Sequence, residues 1–206
     1  IVFGDWSSDV CSSDLAHNYY YNTYGLNGAN NQGGIGNPIY GVPAALTEGY
    51  VFEDSKYVGF CPNAMWTGTD IEFCYGMATT DIIGHEYGHA VLDFAVPDIP
   101  YSYEGGAVHE AYADLAGEAV ERYRYGSSDW VNGADVTLVS IDPRSLKDPN
   151  SSSDGFGPLP SRFYDSFFYC GTNDNGGVHH NSTVPSHAGY LMAEGGVHNG
   201  CTISGI

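Results

Sequence analysis

The chain has 206 residues, enough for one large domain or two small lobes around a cleft with a sizeable core. Its 25 acidic and 6 basic side chains give a formal net charge of -19, which argues against nucleic acid and anionic membranes as partners, because both need basic surfaces. No stretch reaches the ~18 to 20 apolar residues of a membrane span and no signal-peptide pattern opens the chain, so a soluble protein lacking its natural start is expected.

Residues 1–15 carry a near-repeat, Ser7-Ser8-Asp9 and Ser12-Ser13-Asp14, with no periodicity around it; they read as an unassigned, non-native segment similar to translated adapter sequence. The aromatic run Ala16–Tyr24 predicts a helix that stops at Gly25 or Gly28, and a Gly/Asn-rich loop follows to about Pro38. Extended runs from Tyr50 to Phe60 lead into a hairpin over Asn63–Phe73 that turns at Thr67-Gly68. A two-residue turn there sets Cys61 opposite Cys74. None of the five cysteines shows C-x-x-C spacing, so a cross-strand disulfide and an oxidising compartment are expected. A buried helix begins with Thr79 or Thr80 as N-cap and ends at Pro97. A second helix is predicted from about Val108 to Tyr123, and a third from Ser186 to Ala193, closing at Gly195-Gly196. Residues 127–160, rich in Ser, Asp, Gly and Pro, carry no assignment. Strands come first and helices later: an N-terminal lobe over 16–97 holding the hairpin, and a partial helical C-terminal lobe over 98–206.

The buried helix contains His85-Glu86-Tyr87-Gly88-His89. At about 100° per residue His85 and His89 share a face and can hold one ion, while Glu86 lies where it reaches a water on that ion without being a ligand. A chain of this composition gives about 0.01 such matches when shuffled. Burying two histidines and a carboxylate among Ile82, Ile83, Ala90 and Val91 without a partner would also be costly.

Two histidines demand a third ligand. The pattern that continues to a third histidine needs a glycine and a histidine where this chain has Leu92 and Ala95, which excludes it. The next helix offers Glu110 and Asp114, four apart in an Ala-rich setting; one can bind the metal while the other accepts the free ring N–H of a ligand histidine. His109 is a weaker alternative ligand, on a different face.

With these residues in place the chain resembles the thermolysin-like metallopeptidases, gluzincins in which a Glu follows His-Glu-x-x-His by about twenty residues. The resemblance runs from Ala16 to the end and rests further on Asn63-Ala64-Met65-Trp66, Gly105-Gly106-Ala107-Val108-His109-Glu110 and Asp174-Asn175-Gly176-Gly177-Val178-His179-His180-Asn181-Ser182. It implies an α+β, two-lobe zincin fold: a mixed, β-rich N-terminal lobe, a mainly α-helical C-terminal lobe, and the active-site helix at their junction. It implies that His85, His89 and Glu110 bind Zn2+, that Glu86 is base and proton shuttle, and that Asp114 supports a ligand histidine. Tyr101 and His179 then donate to the oxyanion, Asp174 orients His179, and Asn63, Ala64 and Arg144 bind the peptide. Asp81, Glu121 and Asp129 correspond to a Ca2+ cluster, with Asp135 nearby; Ala134 stands at a position often acidic in the family, so one ion is expected.

The implied function is a secreted, monomeric zinc endopeptidase that cleaves peptide or protein substrates before hydrophobic residues. Two alternatives stand beside it: an incomplete or inactive calcium-binding protease fragment, and a zinc aminopeptidase, for which no Gly-x-Met-Glu-Asn strand is found. Family members carry a β segment before the region of Ala16 and helices after that of Ile206, so a fragment of low stability is expected.

Overall fold

Three helices pack against one another at the centre of the described residues. The computed structural model describes residues 6–33, 61–69, 71–74 and 76–206. The first helix, α1 (Trp6–Tyr24), begins ten residues before Ala16 and stops where expected: Gly25 takes a left-handed φ of 73° and its amide returns to the Tyr21 carbonyl. Leu15, Ala16 and Tyr20 join the main apolar core, where the Tyr20 ring lies 5.5 Å from that of Tyr87. The extended runs expected over Tyr50–Phe60, and the end of the loop toward Pro38, lie outside the described residues.

The hairpin is present, as β1 (Ala64–Trp66) and β2 (Ile71–Phe73), but its register is two residues away from the expected one. Ala64 pairs with Phe73 and Trp66 with Ile71, so the connection is longer than the two residues Thr67-Gly68. The Cys61–Cys74 disulfide nevertheless forms, with Cα atoms 5.7 Å apart, while Cys74 N donates to the Asn63 carbonyl. A disulfide tolerates Cα separations of about 4.4–6.8 Å, so the bond did not require the two cysteines to be directly opposed.

The buried helix α2 (Thr80–Ala95) has Thr79 as N-cap and is buried continuously from Thr80 to Val91. It lies against α3 (Tyr103–Tyr125), which ends at Gly126 in the left-handed region. The two backbones approach closely because small residues line the contact. A Cβ on Gly84 would sit 2.9 Å from the Gly117 Cα, and one on Gly88 2.8 Å from the Ala116 Cβ. That approach carries the carboxylates of α3 to the histidines of α2.

Residues 127–160 contain short antiparallel ladders: β3 (Val131–Asn132) with β4 (Arg144–Ser145), and β5 (Ser153–Asp154) with β6 (Gly157–Pro158). A short helix, α4 (Asp174–Asn181), precedes α5 (Thr183–Glu194), which ends at Gly195. Asn175, Gly176 and Gly177 all take positive φ, so α4 opens with a left-handed turn before Val178. The chain closes with the hairpin β7 (Gly196–His198) and β8 (Cys201–Ile203). The described residues are thus helix-rich with short strands, and no described helix is long and apolar enough to cross a membrane.

Candidate metal centre and active site

On α2, His85 and His89 point the same way, and their Nε2 atoms are 3.0 Å apart. Glu110 of α3 closes the group: Oε1 is 3.3 Å from His89 Nε2, and Oε2 is 3.5 Å from His85 Nε2. All three side chains are buried, Glu110 completely. Asp114, one turn along α3 and equally buried, lies 3.0 Å from His85 Nδ1. Arg144 reaches Asp114 from β4 through Nη2 (2.7 Å) and Nε (3.2 Å), an arrangement made by the pairing of Asn132 with Arg144.

Burial disfavours charge throughout, yet the groups here shift toward their charged forms because opposite charges outweigh it. Burial lowers the His85 pKa and the carboxylates of Asp114 and Glu110 raise it, to a net value of about 10. Burial raises Glu110 and Asp114; His179, His89 and His85 pull the first well below the carboxylate range, and Arg144 with His85 lowers the second.

The donor set fits a metal ion on three counts. Two imidazole nitrogens 3.0 Å apart would repel through their lone pairs without a cation or proton between them. Glu110 Oε2 is buried with no hydrogen-bond partner. Two nitrogens and one carboxylate are the ligand class of catalytic zinc.

Glu86 is not in that group. Its Oε2 accepts the Trp66 backbone amide at 2.7 Å, tying the helix to β1. On the other side His179 Nε2 lies 3.4 Å from both Glu110 Oε1 and the Tyr101 hydroxyl, and that hydroxyl donates to Glu110 Oε1. Asp174 grips His179 twice, accepting its backbone amide at 2.9 Å and facing Nδ1 at 2.7 Å. The left-handed turn of α4 makes this possible, since it folds Asp174 back onto a residue five positions later. Asn63, Ala64, Arg144 and His179 line one cleft of about 560 Å³ with His85, His89 and Glu110. Asn63 Oδ1 accepts the Ala64 amide at 2.9 Å.

A second acidic group lies at the far end of α3. Glu121 and Asp129 come together with Glu118, their carboxylate oxygens within 4.8 Å of one another. Asp81 is not in this close group: Oδ2 accepts the Gly133 amide at 2.6 Å and Oδ1 accepts the Thr79 hydroxyl. Its charge still acts on Glu118, Glu121 and Asp135. Glu118 Oε1 is buried without a partner, and burial raises that carboxyl to about 8. Glu118 and Asp93 belong to none of the sequence motifs, although a carboxylate inside Ala116-Gly117-Glu118-Ala119-Val120 is itself a signal. Nor does His109 fill the place of an alternative ligand. His109 stands behind His89, its Nδ1 2.7 Å from His89 Nδ1, and faces Asp93 instead of the ion site.

A family model described as thermolysin metallopeptidase, alpha-helical domain, matches residues 97–206, more than half of the chain. The chain is 37% identical over 155 residues to the thermolysin of Alicyclobacillus acidocaldarius subsp. acidocaldarius, a match covering 70% of this chain and 27% of that protein. It is 33% identical over 201 residues to a bacillolysin of Bacillus cereus, covering 92% and 31% respectively. The chain therefore spans less than a third of these relatives. The solved precursor of protealysin, a metalloproteinase from Serratia proteamaculans, shares the fold with a TM-score of 0.70 at 22% identity, over 93% of this chain and 61% of that one. As its motifs implied, the chain belongs to the thermolysin metallopeptidase family.

Proposed function

We propose that this chain carries the catalytic centre of a zinc-dependent endopeptidase. The observation that carries the reading is the convergence of His85, His89 and Glu110 in a cleft whose rim holds Tyr101, His179 and the edge strand β1. His85 Nε2, His89 Nε2 and the Glu110 carboxylate would hold the metal, and Asp114 keeps the His85 proton on Nδ1, leaving Nε2 bare. Bound zinc supplies a Lewis acid that polarises a peptide carbonyl and lowers the pKa of a water from 15.7 to about 7.

The remaining work belongs to side chains. Glu86 takes the proton of the attacking water on a carboxylate oxygen and passes it to the leaving amine. One Glu86 oxygen is held by the Trp66 amide, which fixes the carboxylate's direction and leaves the other oxygen for the water. His179 Nε2 and the Tyr101 hydroxyl donate to the tetrahedral oxyanion; burial lowers the His179 pKa but Glu110 and Asp174 raise it overall, so the ring carries one proton on Nδ1, held by Asp174, and a second on Nε2 to donate. Asn63 and Ala64 bind the peptide backbone as an added strand, with Arg144 on its carbonyl. The two-lobe arrangement, cleavage before hydrophobic residues, a monomeric state and secretion complete the reading; the disulfide suits an oxidising compartment. Asp81, Glu121 and Asp129 are proposed to serve one calcium ion: Glu121 and Asp129 join Glu118 in the close group, and Asp81 acts on it by its charge from outside.

Replacing Glu86 by Gln tests the centre. Zinc stoichiometry should match wild type while cleavage of casein falls by ~10²- to 10⁴-fold, the usual worth of a positioned general base. Undiminished proteolysis by a pure Glu86→Gln sample would sink the assignment.

A further inference from the structure

Behind the metal-binding group runs a hydrogen-bonded chain that the reaction above does not use. His109, 4% exposed, faces His89 with Nδ1 against Nδ1 at 2.7 Å. Its Nε2 is 2.9 Å from Asp93 Oδ1, and the other Asp93 oxygen accepts the Trp66 indole N–H at 2.7 Å. Trp66 belongs to β1, so four side chains join the substrate-binding edge to a metal ligand.

The tautomers along this chain are set from both ends. Asp93 is a carboxylate and only accepts, and its Oδ2 is already taken by the indole. His109 must therefore carry its proton on Nε2 to bond Oδ1, which leaves Nδ1 bare. A bare His109 Nδ1 at 2.7 Å requires the proton on His89 Nδ1, and that frees His89 Nε2, the atom facing Glu110 and His85. The His89 ligand is thus aimed through a second imidazole, whereas the group nearest His85 Nδ1 is the Asp114 carboxylate, 3.0 Å away.

We propose that His109 is a positioning residue for the metal ligand His89: held in its Nε2–H form by Asp93, it accepts the His89 Nδ1 proton and links that ligand to the edge strand through Trp66. This rests on the zinc reading of the site. Removing an outer partner of a ligating histidine typically costs ~10- to 100-fold in metal affinity.

The test uses the full chain and zinc alone, with affinity measured by competition against a chromophoric chelator. His109→Leu, which keeps bulk but cannot accept, should bind zinc ~10- to 100-fold more weakly. His109→Asn places Oδ1 where Nδ1 stood and should restore affinity to within ~3-fold of wild type, a rescue that mere filling of space would not give. Asp93→Ala, at a half-buried position, disturbs the chain from its outer end and should weaken zinc ~3- to 10-fold; it decides the matter if His109→Leu fails to fold. Cobalt-substituted wild type and His109→Leu should also differ in their visible absorption bands, which report ligand orientation. Wild type that holds no zinc overturns the zinc reading and this inference with it. Zinc binding in His109→Leu and Asp93→Ala as tight as in wild type, or His109→Asn as weak as His109→Leu, overturns this inference alone.

Discussion

His179 contributes through where its Nε2 points, since Asp174 holds both its amide and its Nδ1. Its replacement by Ala should leave zinc content unchanged and lower kcat by ~10²- to 10³-fold, the cost of removing one oxyanion donor. Steady-state kinetics beside metal analysis checks this; a loss of zinc in parallel with activity would instead make His179 a structural support. At this scale the grouping of His85, His89 and Glu110 was readable because helical periodicity forces His85 onto the face of His89, and Glu110 onto that of Asp114, wherever the helices go. Glu118 and His109 were not readable in the same way. What each of them faces depends on the crossing of α3 with α2 and on the residue 127–129 segment, and single-helix spacing holds no record of either. Arg144 gains its place from a two-residue ladder too short to leave a pattern.

Among the elements, the α2–α3 contact sets the distance across which the metal-binding group is assembled. Gly84→Ala tests it. In an open helix the exchange would add about 1 kcal/mol of helix propensity. Here the new Cβ meets the Gly117 backbone at 2.9 Å, and backbone cannot yield as a side-chain tip can. Overpacking of this kind costs about 1–3 kcal/mol, and backbone contact puts this site in the upper part of that range, so a net loss of up to about 2 kcal/mol is expected, with weaker zinc binding. Chemical denaturation with and without zinc measures both effects, and a variant as stable as wild type would mean that the helices part without penalty. The start of α2 and the C-terminal ends of the helices were legible because Thr79, Pro97, Gly25 and Gly195 are strong punctuation, whereas α1, α3 and α5 begin ten, five and three residues earlier than expected. The hairpin register was not, since a turn longer than two residues satisfies the same cysteine pair. The left-handed opening of α4 could be reached only through resemblance: Asn175-Gly176-Gly177 marks a turn but does not say that Asp174 folds back on His179.

For the molecule as a whole, a charge of -19 needs somewhere to be neutralised, and the Glu118, Glu121 and Asp129 group shows the strain most clearly. Burial raises Glu118 to about 8; the Ser128 hydroxyl opposes this, while Glu121, Asp129 and Asp81 add to it. An unfolded Glu titrates near 4.5, so between these values the folded state binds more protons than the unfolded state, and stability falls as pH rises through that window. Without calcium, wild type should therefore lose melting temperature from pH 5 to pH 8 more steeply than Glu118→Gln, and calcium should raise the wild-type melt more at pH 8 than at pH 5. Parallel pH profiles for the two proteins, or no response to calcium at either pH, would dismiss the ion site. The Cys61–Cys74 bond closes residues 61–74 into a covalent ring, and among the described residues β1 pairs only with β2, its Trp66 amide held by Glu86. A peptide arriving there meets an edge that gave up its own configurational freedom when the ring was sealed. On the proposed reading of the cleft, the ordering cost of docking would fall on the incoming peptide, so part of the affinity would be fixed by an oxidation step that precedes any encounter with substrate.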